Sequence, residues 1–69
     1  MITRETDSYV DIYPFVDTTD ELPSARVSVY KERGEVTFQG DNYTPEDVRK
    51  LTEAFELAFA ALATIQAQK

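Results

Sequence analysis

The sequence predicts an α+β fold (βββα), in which a three-stranded antiparallel sheet is followed by one long C-terminal helix and the helix pairs two copies into a homodimer. Three observations predict it. Apolar and polar residues alternate with a period of two in three short stretches, around Val10, Val27 and Val36. From Thr44 onward apolar residues recur at helical spacing, and neither proline nor glycine follows Pro45. The second half of that helix is also apolar on more sides than one small sheet can cover.

Residues Met1 to Asp7 are polar and without periodicity, which predicts a flexible arm ahead of a single domain over residues 8–69. In the first strand Val10 and Ile12 alternate with Tyr9, Asp11 and Tyr13. A charge is costly inside, so Asp11 sets the register: Val10 and Ile12 point to the core, while Tyr9, Tyr13 and Phe15 point outward. Pro14 cannot donate to a ladder and belongs at the strand's end or on an edge strand. Asp17 to Ser24 reads as a loop anchored by Leu22. Ala25, Val27 and Val29 then alternate with Arg26, Ser28 and Tyr30, and Val36 and Phe38 with Thr37 and Gln39. Gly34 between these stretches suits the left-handed position of a hairpin turn.

The helix has a well-marked start. The Thr44 hydroxyl can accept from a free amide of the first turn, Pro45 fits the first helical position, and Glu46 and Asp47 face the positive end of the dipole. At 100° per residue, Val48, Leu51, Phe55, Phe59 and Leu62 form the stripe expected to lie on the sheet. Ala54, Leu57, Ala58, Ala61 and Ile65 form a second stripe beside it. Its alanines suit close approach of another helix, so these five residues are the expected dimer interface. A helix of about 22 residues is roughly 33 Å long, against ~17–23 Å for strands of five to seven residues, which predicts an overhang.

Composition narrows the function. A chain of 69 residues buries only ~60% of its unfolded surface, and ordering it costs roughly as much as one small core returns. With no cysteine and no histidine, disulfides and the usual transition-metal sites are excluded, no cofactor is implied, and oligomerisation is the expected support. The net charge of −6 is concentrated early, with Glu5, Asp7, Asp11, Asp17, Asp20 and Glu21 set against Arg4. That distribution disfavours direct nucleic-acid binding and favours a basic partner. It also admits an acidic DNA mimic that occupies a DNA-binding protein, although acidic arms are usually only solubilising. The N-terminus does not read as a signal peptide, and the apolar run Leu57 to Ala63 is too short to span a bilayer, so the expectation is a cytoplasmic protein with no membrane partner. The sequon Asn42-Tyr43-Thr44 then has no route to modification.

Catalysis finds little to work with. Glu53 and Glu56 stand three apart on the helix, the arrangement of a solvated face more often than of a carboxylate pair. Asp17, Asp20 and Glu21 match no calcium-loop spacing. With Gly34 and Gly40 as the only glycines, there is no phosphate-cradling loop. The stronger candidate is the outer sheet face, where Tyr9, Tyr13, Arg26 and Tyr30 would form a partner-binding surface with Ser28, Thr37 and Gln39. The expected function is a non-enzymatic protein-binding module, with a self-assembling structural module as the alternative.

The hairpin residues Val36-Thr37-Phe38, the stretch Thr44-Pro45-Glu46-Asp47-Val48-Arg49-Lys50-Leu51 and the alanine-rich helix resemble small accessory proteins of actinobacterial phages. The likeness runs from the second predicted strand to the C-terminus. It implies a non-catalytic accessory or inhibitor protein that acts on a host or phage protein, in the host cytoplasm. No site residue follows from it.

Overall fold

The computed structural model describes residues 1–17, 25–40 and 43–68. Four strands precede one helix: β1 (Ile2–Glu5), β2 (Tyr9–Tyr13), β3 (Arg26–Tyr30), β4 (Glu35–Gln39) and α1 (Pro45–Ala67). The strands form one antiparallel sheet in the order β1-β2-β3-β4, so the architecture is α+β with a sheet of four strands rather than three. The extra strand comes from residues expected to be a flexible arm. Ile2 lies opposite Tyr13, Thr3 opposite Ile12, Arg4 opposite Asp11 and Glu5 opposite Val10.

Backbone pairing, rather than an apolar face, makes β1. Its inward positions are Thr3 and Glu5, which give no alternation to read, yet an edge strand needs only a partner ladder. A tight turn sets that ladder: Thr6 N donates to Tyr9 O at 2.8 Å, and Tyr9 N donates to Thr6 Oγ1 at 3.0 Å. The charged ends add to it, as Lys31 Nζ lies 3.0 Å from Glu5 Oε2 and the N-terminal ammonium 3.1 Å from Asp17 Oδ1. With β1 outside it, β2 is an interior strand. Pro14, fully buried, sits just past its end.

The β3–β4 hairpin follows the predicted register, with Val27 opposite Phe38 and Val29 opposite Val36. Gly34 holds φ of 65°, and its N–H donates to Tyr30 O at 2.9 Å. The loop anchor assigned to Leu22, the acidic positions Asp20 and Glu21, and Asn42 all lie outside the described residues.

α1 begins as its sequence dictates. Asp47 N donates to Thr44 Oγ1 and Thr44 N to Asp47 Oδ2, both at 3.2 Å, a reciprocal capping box ahead of Pro45. The helix lies across β2 and β3, and its footprint differs from the expected stripe. Val10, Ile12, Val27 and Val29 meet Ala54 and Ala58, with Phe55, Ala61, Leu62 and Ile65 packed around them. Val48 and Phe59, placed by the wheel on the core stripe, remain 50% and 58% exposed. The branched rows of the sheet already fill the space between the layers, so the helix presents its small residues there and comes closer. This turns the bulkier Val48 and Phe59 to one flank and Leu57 to the other. The expected overhang shrinks as well, since Leu62 and Gln66 reach the hairpin turn at Gly34. Among the described residues no helix is long and apolar enough to cross a membrane.

Candidate functional site

The period of two that sends Val27 and Val29 toward the helix sends Arg26, Ser28 and Tyr30 to the opposite face, which α1 does not cover. Register completes that face. Tyr9 stands opposite Tyr30, Asp11 opposite Ser28, Ser28 opposite Thr37, and Tyr30 opposite Glu35. The result is a shallow depression across β2, β3 and β4, lined by Tyr9, Asp11, Arg26, Ser28, Tyr30, Glu35 and Thr37.

Its two ends differ in chemistry. At one end the Tyr9 and Tyr30 rings stack with centroids 5.0 Å apart and planes 17° from parallel, and the Arg33 guanidinium lies 5.9 Å from the Tyr30 centroid. The Tyr30 hydroxyl donates to Glu32 Oε2 at 3.0 Å. That hydrogen bond, with the negative field of Glu32 behind it, raises the phenol above its ordinary value, because ionisation would break the bond and place two anions together. At the other end Arg26 Nη2 donates to Gln39 Oε1 at 2.9 Å, holding the guanidinium along the sheet.

Between them Ser28 Oγ donates to Asp11 Oδ1 at 2.6 Å. Ser28 is only 3% exposed, so its hydroxyl is committed to orienting that carboxylate and is not presented as a nucleophile. The floor is thus a fixed carboxylate held by a buried hydroxyl, with rigid aromatic surface beside it.

Of the four residues expected to bind a partner, the structure brings Tyr9, Arg26 and Tyr30 together around one depression. Tyr13 shares their face but stands opposite Ile2, half-buried, outside the lining. Two carboxylates gain weight that the sequence did not give them, namely Asp11 on the floor and Glu35 on the rim. Their signal in the sequence is the same alternation, which by itself chooses a face but pairs no residues across strands.

The expected helix–helix interface is corrected. Ala54 and Ala58 are fully buried against the sheet, and Ala61 and Ile65 pack on the same core, so the five residues form no common surface for a second helix. Leu57 alone is substantially open, at 49%. Phe15, expected outward, is half-buried and stacks on Tyr43 at 5.4 Å. Glu53 and Glu56 are exposed on the helix, and among the described residues no cluster of side chains suited to a metal ion forms. No protein-family model matches the chain, and neither a curated protein nor a solved structure matches it.

Proposed function

We propose that this chain is a non-enzymatic protein-binding module that receives a basic, extended segment of a partner on the outer face of its sheet. The observation that carries this is the stacked Tyr9–Tyr30 pair, left open beside the depression floored by Asp11. Aromatic rings held rigid by stacking lose little entropy on binding and supply large contact area, as interface anchors do. The carboxylates of Asp11, Glu32 and Glu35 surround them in a chain of net charge −6, which complements lysine or arginine. Arg33 over Tyr30 already illustrates the cation–π contact that an incoming basic side chain would make.

The test uses the chain as bait for its partner, followed by titration of the purified pair. Tyr30→Ala is expected to weaken binding at least about tenfold, the usual cost of losing an aromatic anchor, with an unchanged circular dichroism spectrum. Rising ionic strength should weaken the parent complex further. Binding by Tyr30→Ala at parental affinity would refute the role of this face.

A further inference from the structure

Among the described residues the sheet has two unpaired edges, and they are built differently. β1 ends on the adjacent charges Arg4 and Glu5, the usual protection against edge-to-edge pairing. β4, Glu35-Val36-Thr37-Phe38-Gln39, has one charge at its end and the high-propensity residues Val36, Thr37 and Phe38 at its centre, without proline or bulge. Among the described residues no strand pairs its outer side.

Three of the exposed apolar side chains, Phe38, Val48 and Phe59, gather on the same flank, with Leu57 on the other. Phe38 of β4 is 42% exposed and lies 5.7 Å, centroid to centroid, from Phe55, which in turn stands 6.4 Å from Phe59. On the helical wheel Val48 falls within about 40° of Phe55 and Phe59, so Phe38, Val48 and Phe59 form an apolar band along the β4 edge.

We propose that this edge is the seam of a homodimer, in which the β4 strands of two copies pair antiparallel about a two-fold axis at Thr37. In that register Thr37 faces Thr37 of the partner subunit, Val36 faces Phe38 of the partner subunit, and Glu35 faces Gln39 of the partner subunit. Five residues overlap, every apolar position meets an apolar one, and no like charges stand opposite each other. Any other two-fold register shortens the overlap.

The area is sufficient. Phe38, Val48 and Phe59 keep about half of their surface open, on the order of 300 Å² together from the size of such side chains. Full burial of that surface in two copies would remove about 600 Å² of apolar area, which at the ~60% apolar share of interfaces corresponds to about 1,000 Å² in all, the threshold for a specific interface with good complementarity. The seam joins two sheets into one of eight strands and leaves both tyrosine faces open on the same side. The dimer is independent of the partner-binding role, and its test involves no partner.

Because the chain has no cysteine, single cysteines report the seam cleanly. Thr37→Cys is expected to form a disulfide dimer under mild oxidation, since directly opposed residues of an antiparallel pair bring their Cβ atoms to about 5 Å. Leu57→Cys, on the opposite flank of α1, should stay unlinked. Sedimentation of the unmodified chain at tens of micromolar should give twice the 7.9 kDa chain mass. Phe59→Glu, at an exposed position that leaves the fold intact, should raise the dimer dissociation constant at least about tenfold. A monomer mass at those concentrations would overturn the proposal. So would preferential crosslinking through Leu57→Cys, or a dimer unaffected by Phe59→Glu.

Discussion

Replacing Ala58 by leucine puts the close approach of helix and sheet to a direct test. Ala58 has no exposed surface and faces the β-branched rows Val10 and Ile12 of β2 and Val27 and Val29 of β3, so three added carbons have nowhere to go without moving α1 or forcing rotamers. Overpacking of this kind costs about 1–3 kcal/mol, and leucine is nearly as good a helix former as alanine, so the loss is attributable to packing. For a domain of this size about 2 kcal/mol lowers Tm by roughly 8–16 °C. It is also a large share of a total stability of roughly 3–10 kcal/mol. Thermal melts of Ala58→Leu beside Ala60→Leu, which makes the same change on the exposed face of the same turn, separate packing from helix propensity. If Ala58→Leu melts within a couple of degrees of the parent, then alanine does not set the helix–sheet distance and the footprint described for α1 is wrong.

Gly34→Ala should cost about 1–2 kcal/mol in chemical denaturation, because φ of 65° disfavours a side chain while the space around it offers only ordinary contact with Leu62 and Gln66; Gly34→Asn should cost less, and equal losses would argue against a backbone origin. Thr44→Ala removes one arm of the capping box and should cost about 1 kcal/mol, whereas Thr44→Ser should stay near the parent. Tyr30 is held neutral by Glu32, so its folded-state pKa lies above its unfolded value near 10.0. The stability this contributes is present below pH 10 and lost as pH rises through the folded value. Glu32→Gln should bring the Tyr30 titration, followed by NMR of the ring, back toward the ordinary value, and an unmoved midpoint would refute the assignment.

The parts of the fold written in apolar alternation were legible in the sequence, and those that rest on backbone alone were not. Val10 and Ile12, Val27 and Val29, and the Thr44-Pro45 start each state their element plainly. β1 does not, since Thr3 and Glu5 occupy its inner positions and its pairing is fixed by the Thr6–Tyr9 turn. The helix was found but rotated, because a wheel ranks residues by hydrophobicity whereas a packed layer selects them by size. Valine-rich strands leave room for Ala54 and Ala58, not for Phe59. On the outer face Tyr9, Arg26 and Tyr30 were placed correctly by parity alone. The roles of Asp11 and Glu35 depend on cross-strand partners, which a single sequence does not pair.

The strand order has a consequence for how the chain becomes ordered in time. Each strand neighbours the one before it, so the β1–β2 and β3–β4 ladders close over short turns and can form within microseconds. Among the described residues the main cover for Val10, Ile12, Val27 and Val29 comes from α1, which follows every strand in the chain. During synthesis the sheet's apolar face therefore lacks its main native shelter until the helix has left the ribosome, an interval of seconds at usual elongation rates. In that interval the same apolar rows are open to chaperones or to other nascent copies, and a truncation ahead of Ala54 would leave them so.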